Sequence, residues 1–300
     1  MLLVFVGMII ISSIISDVFM TSRNISNIMR QVSVNGILAC GMTFVMLTGG
    51  FDLSVGSLIS VSAVVAIGMQ DYFGVAGAII IALVIGAIAG SLNGILLSKI
   101  NANSGDAFMI TLGSQLVFAG AALLYTNARV LPGSKSEFYN SLGQGTLFGF
   151  IPTPVFIFLI ITIISHFILS YTSFGRKIHL LGGNYEAARL SGVRVYFYKA
   201  IVYSIVGFTA AIAGIILSSR TLGGSPLAGV GYELDAIAAV IVGGTSLAGG
   251  EGSVMRTLLG VFIIGVLSNI LNLIGLSSFN QMIVKGIVIV LAVWLDVKKQ

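Results

Sequence analysis

Four charged side chains lie in or beside long apolar runs: Asp52, Glu233, Asp235 and Lys285. A charge at bilayer depth costs roughly 2.5–3.5 kcal/mol on insertion scales, so each must face a partner or water. Carboxylates placed this way can relay protons or sodium ions. Lys285 and Asp235 can instead pair and lock two helices together, which is the expectation for these two. Asn35, Thr43, Asn93, Thr111, Gln115, Asn269 and Asn272 can hydrogen-bond a polar solute or bridge helices, and for any one of them the bridge is favoured. His166 sits in an apolar run and His179 in a basic segment, and neither has a second histidine or cysteine at metal-ligand spacing. No Gly-x-Ser-x-Gly or His-Glu-x-x-His is present, and no lysine follows a glycine, so a phosphate-binding loop is missing. Catalysis, a metal and a cofactor are therefore not expected. If ATP drives this protein, another polypeptide hydrolyses it.

Side chains of this kind can be positioned only by helices that live in lipid. The 300 residues are 57% hydrophobic and 8% charged, with mean hydropathy +1.08, whereas soluble domains carry about 25% charged residues. The fold class is an all-α polytopic membrane protein, one transmembrane domain over 1–300. With about 20 apolar residues per crossing, the sequence accommodates about ten spans: 2–19, 31–48, 54–70, 75–97, 107–125, 154–170, 197–218, 233–247, 254–273 and 280–295. No basic residue precedes the first, so it reads as a retained helix rather than a cleaved signal. With the N-terminus inside, Lys99, Arg176, Lys177, Arg189, Arg194, Lys199, Arg256, Lys298 and Lys299 fall on the cytoplasmic side, and Arg23, Arg30, Arg129, Lys135 and Arg220 outside. This cation bias makes both termini cytoplasmic. Cys40 is the only cysteine, which excludes an intrachain disulfide. The net charge of +5 comes with no basic stripe interleaved with aromatics, so no nucleic-acid partner is expected.

Three connections stand out from the apolar background. The first, Gly182 to Val193, carries Glu186-Ala187-Ala188-Arg189 and then Gly192, a small acid-bearing knob suited to docking in a cleft on a partner. The longest outer segment, 126–153, contains 136–142, a candidate short interfacial helix that is either a plain connector or a landing surface for an extracytoplasmic partner. Last come two glycine-rich interruptions, 48–57 and 243–253, each an apolar helix, a glycine pair, a polar stretch and a new helix start. They are either tight turns or re-entrant segments lining a polar route, because non-helical backbone at membrane depth must be covered by protein or water.

Taken together, these residues resemble the membrane subunit of bacterial sugar ABC importers, the ribose, xylose, galactoside and autoinducer-2 permease family. The resemblance runs from about Asn24 to Asp296. It rests on Gly41-Met42-Thr43, the run from Thr48 to Ser57, Asn93-Gly94, the run from Phe108 to Gly113, Gly182 to Val193, Gly231 to Ala239, and Gly243 to Leu247. The chain departs from the family pattern at Phe118-Ala119-Gly120, where many relatives place Arg-Gly, and at Arg256, usually a small residue. No Ile-x-Leu-Pro element follows the knob.

The resemblance implies a permease in the bacterial inner membrane, working with a cytoplasmic ATP-binding subunit, an extracytoplasmic solute-binding protein and a second permease copy or paralogue. It also implies that Glu186, Ala187, Ala188, Arg189 and Gly192 form the ATPase-coupling loop. For the route of a sugar-like solute the expected residues are Asn35, Thr43, Phe51, Asp52, Ser54, Ser57 and Asn93, with Asp52 and Ser54 offering acceptors and a donor to hydroxyl groups. An ion-coupled secondary transporter, whose broken helices would look similar, and a passive channel or scaffold remain the alternatives from the residues alone.

Overall fold

Backbone groups in lipid must bond within their own segment, so long apolar runs become helices. The computed structural model describes residues 1–100 and 104–297. In chain order these form α1 (Leu2–Ile15), α2 (Ser22–Leu47), α3 (Val55–Gly68), α4 (Gln70–Lys99), α5 (Ser104–Thr126), β1 (Leu131–Pro132), α6 (Glu137–Gln144), β2 (Thr146–Leu147), β3 (Ile151–Pro152) and α7 (Thr153–Tyr171). There follow α8 (Ser173–Gly183), α9 (Tyr185–Leu190), α10 (Val195–Thr221), β4 (Gly223–Gly224), α11 (Tyr232–Val242), α12 (Val254–Leu273) and α13 (Ser278–Val297). Lys298 and Lys299, two of the cations used to orient the chain, lie outside the described residues.

A helix lies at each of the ten expected spans, but the helices are not alike. Among the described residues six are long and apolar enough to cross a membrane: α2, α4, most of α5, α7, α10 and α12. The expected spans 2–19, 54–70 and 233–247 are corrected. The first is helical only over Leu2–Ile15, 14 residues. The other two become α3, with 14 residues, and α11, with 11. At 1.5 Å per residue these reach only about 21 and 16 Å, short of a hydrocarbon core of about 30 Å. The reason is local: Gly231, with φ +88°, precedes α11, and Gly243-Gly244, the second with φ +92°, ends it.

Helices α3 and α11 meet end to end inside the bundle. From the end of α10 the chain turns back, and 222–231 runs beside α3, with Gly224 against Ala63 and Val64 and Gly229 against Gly56. The Ser60 hydroxyl accepts from the Gly229 N–H at 2.9 Å. At the bottom of this descent α11 begins, and its Glu233 carboxylate lies over Gly56 in the first turn of α3. Glu233 accepts from the Gly231 N–H at 3.1 Å and from Gln115 Nε2 at 3.3 Å. One acid thus sits at two helix N-termini, the ends where a negative charge is favoured.

At the centre is α10, packed between α2, α3 and α4. Gly86, Gly90 and Gly94 form a row with four-residue spacing on α4, and a Cβ on any of them would overlap the backbone of α10 at Gly207, Tyr203 or Lys199. Small residues in such a row let two membrane helices approach backbone to backbone. Most of α2 is buried, including Val34, Ile37, Leu38 and Phe44.

The segment 126–153 is held down rather than free. β1 pairs antiparallel with β4 and β2 with β3. The expected helix at 136–142 is α6, capped by Ser136 Oγ accepting from the Tyr139 N–H. Tyr139 is fully buried and its hydroxyl bonds Ser218 of α10 at 2.6 Å, while Ser219 Oγ donates to the Tyr139 carbonyl. Burial pushes the Tyr139 phenol up to about 12, outweighing the opposing effect of the Ser218 bond, so it stays protonated.

Candidate functional site

The knob is α9. Asn184 caps it by accepting from the Ala187 N–H at 2.9 Å, and Gly192, with φ +80°, turns the chain away after it. Ala188 is fully buried against a small cluster of Leu181, Val193 and Tyr198, which fixes the helix to the base of α10. Glu186 and Arg189 pair at 3.0 Å on the exposed face. Leu190 at the tip is 81% exposed. The surrounding cations lie over aromatic rings, Lys177 over Tyr198 and Lys199 over Tyr185.

Behind the knob, α8 is joined to the end of α2 and to the second glycine-rich interruption. The Gly250 N–H donates to the Leu47 carbonyl at 2.9 Å, which ties the α11–α12 connection to the end of α2. His179 Nδ1 lies 2.8 Å from the Gly250 carbonyl. A carbonyl only accepts, so Nδ1 carries the proton. Gly182 touches both Leu47 and Gly250, and any Cβ there would overlap their backbone. Gly249 in turn lies against Gly49. The sequence identified the knob and the two interruptions, but not this joint. Its only sequence signal is the Gly182-Gly183 pair at the end of α8.

The expected pathway residues fall into separate places. Asp52, Ser54 and Asn93 come together: Asp52 Oδ1 accepts from the Ser54 N–H and hydroxyl at 2.9 and 2.6 Å, Asn93 Nδ2 donates to Ser54 Oγ at 3.0 Å, and Ser114 donates to Asn93 Oδ1. Asp52 and Ser54 are fully buried, and Ser57 nearly so. The Phe51 carbonyl accepts from Tyr203 at 2.9 Å. Thr43 lies elsewhere and bridges α2 to α12 through Thr257 at 2.8 Å. Asn269 exchanges hydrogen bonds with Asn24, Asn272 accepts from Gln281, and Thr111 bonds back to its own helix.

Asn35 stands apart from these. It lines a cavity of about 290 Å³ between α2, α11 and α13 together with Gln31, Tyr232, Asp235 and Lys285. Lys285 Nζ donates to Asp235 Oδ2 at 2.7 Å, so the two charges meet in the cavity wall. Gln31 and Tyr232 were not singled out from sequence. The signal available was the four-residue spacing of Gln31 and Asn35, which puts two amides on one helix face.

Comparison with known proteins bears on what such a molecule does. The chain is 45% identical over 298 residues to the ribose import permease protein RbsC of Bacillus subtilis, covering 97% of this chain and 90% of that protein. It is 46% identical over 299 residues to RbsC of Escherichia coli K12, covering 98% and 91%. To the xylose transport system permease protein XylH of E. coli K12 it is 35% identical over 341 residues, covering 93% and 86%. No solved structure matches the chain. Residues 24–293 match the model of the branched-chain amino acid transport system / permease component family, and the chain belongs to that family of membrane permeases.

Proposed function

We propose that the chain is the permease subunit of an ATP-driven importer in the bacterial inner membrane, carrying a ribose-like sugar. Relatives named for ribose and xylose at 35–46% identity support the cargo class. The observation that carries the mechanism is the joint behind α9, where Gly182 meets Leu47 at the end of α2 and both Gly182 and His179 meet Gly250 in the second interruption. A cytoplasmic ATP-binding subunit seats on Glu186, Ala187, Ala188, Arg189 and Leu190, with Gly192 letting the chain turn away. Movement of that subunit reaches Leu47 and Gly250 through α8 and alters how α2 and α11 meet α3 and α12. The ten helices at the expected spans cross the membrane with both termini cytoplasmic, α3 and α11 each supplying half a crossing and α1, as short as α3, extended by the residues that follow it.

Opposite the knob, Arg30 donates to the Gly143 carbonyl and Gly143 packs on Arg220, so two cations flank one point of the outer surface. That is the landing place for an extracytoplasmic solute-binding protein. A second permease copy or paralogue completes the route. The Asp52–Ser54–Asn93 network, with Ser57 beside it, is closed in the present conformation and opens toward the route in another, while Asp235 and Lys285 brace α11 against α13. The test is reconstitution with the co-purified ATPase and binding protein in proteoliposomes. ATP-dependent accumulation of D-ribose, with state-dependent thiol labelling of Ser54→Cys, is expected. Uptake by the chain alone on an ion gradient would overturn the reading.

A further inference from the structure

The cavity between α2, α11 and α13 has largely apolar walls, with Val230, Leu234, Met282 and Ile289 among them, and a few polar groups gathered at one place, the make-up usual for a ligand site. Asn35 lies 13 residues into α2, about 20 Å from its start, so it is far from either end of that helix. It is 5% exposed, and its Oδ1 is buried without a hydrogen-bond partner among the described residues. An unpaired buried amide oxygen costs about 1–3 kcal/mol, and an ordered water or a bound ligand removes that cost. Of the buried side-chain atoms left without a partner among the described residues, this is the one in a residue that lines the cavity. Around it are the Gln31 amide, Tyr232 and the Asp235–Lys285 pair. Polar side chains at membrane depth face protein or a water-filled space.

The chemistry of the lining restricts the ligand. Asp235 and Lys285 cancel each other, so the cavity has no unbalanced charge to hold an ion. The ammonium has three donors and its bond to Asp235 uses one. The two amides supply both donors and acceptors. That mixture suits a neutral molecule dense in hydroxyls, and a volume of about 290 Å³ is at the lower edge of the roughly 300–1,000 Å³ usual for ligand sites, room for one small ring.

We propose that this cavity is a transit subsite for a single monosaccharide ring, in which Asn35 hydrogen-bonds the sugar hydroxyls beside the Asp235–Lys285 pair. The proposal rests on the importer reading and gives it a location away from the glycine-rich segment 49–57.

Two experiments on the assembled complex test it, with D-ribose as the probe. Asn35→Leu, recovered at native yield, should lower ATP-dependent D-ribose uptake at least tenfold, with partial recovery in Asn35→Gln. Uptake within twofold of native for Asn35→Leu would overturn the subsite. Asn35→Cys provides a readout that needs no transport, followed as labelling of the permease band alone, in which the one native thiol, Cys40, is 2% exposed; the unsubstituted chain gives the background. Reaction of the new thiol with a methanethiosulfonate reagent should slow at least threefold with D-ribose in either the nucleotide-free or the vanadate-trapped state, and be unchanged by the same concentration of L-leucine. Protection by leucine instead, or none by ribose in both states, overturns the proposal. Failure of the importer reading has a different signature: the unsubstituted complex would show no ATP-driven ribose uptake at all.

Discussion

The contact of α4 with α10 and the contact of α8 with the ends of α2 and the α11–α12 connection are both made by glycine, but in different positions. In the first, Gly86, Gly90 and Gly94 lie inside a helix and touch α10 over about 12 Å of its length. Their own backbone bonds stay within α4. In the second, Gly49, Gly182, Gly249 and Gly250 sit at the ends of elements, three of them with positive φ, and are joined by single hydrogen bonds from Gly250 and His179. A contact spread along two helices separates only as a whole. A contact made at chain ends can turn while the helices it joins remain intact. The same residue type therefore serves as an adhesive inside a helix and as a pivot at its end.

Substitutions can break this contrast at its strongest point. Gly90→Leu should destabilise the bundle by about 3 kcal/mol or more, at or beyond the upper end of overpacking penalties, because the overlapped atoms are the backbone of α10 and cannot rotate away. Thermal unfolding in detergent would measure it, and a fold as stable as native would remove the distinction. Gly182→Val should leave folded yield within about twofold, since α8 can swing outward, yet reduce binding-protein-stimulated ATP hydrolysis about tenfold. Equal loss of yield in the two variants would mean that the joint is adhesive as well.

A double-mutant cycle sharpens the comparison by testing a brace that uses charge instead of glycine. Asp235→Asn and Lys285→Met should each cost roughly 1–3 kcal/mol, and the double variant less than their sum, because no uncompensated charge remains. Additive losses in assembled yield would remove the brace. The smallest effect is expected at the knob surface. Glu186→Lys should change stability by less than about 0.5 kcal/mol, as exposed ion pairs contribute little, while severalfold less ATPase subunit co-purifies. Undiminished co-purification would place the docking surface elsewhere.

The positions of the helices were legible because lipid imposes a length and an apolar composition on each of them. The proximity of Asp235 and Lys285 followed from the cost of a lone charge, and α6 was visible as a candidate short helix at 136–142 within the longest connection. The depth at which α3 and α11 begin was not legible. Hydropathy does not distinguish an eleven-residue helix followed by Gly243-Gly244 from a longer span, and the descent of 222–231 beside α3 depends on small residues meeting partners more than 160 positions away, such as Gly229 against Ser60. For the same reason the sequence grouped Thr43 with Asp52, although one bridges to α12 and the other caps the start of α3.

The brevity of α11 has a consequence for how the protein is made. Eleven residues do not cross a bilayer, so a nascent chain that stops at Val242 has no stable place for this segment in lipid. The translocon must hold it until α12 has emerged and the two can enter as a hairpin, with Gly243 packed on the backbone of Arg256 and Thr257. Insertion of α11 is then expected to depend on α12, and a chain truncated before Val254 should leave α11 uninserted.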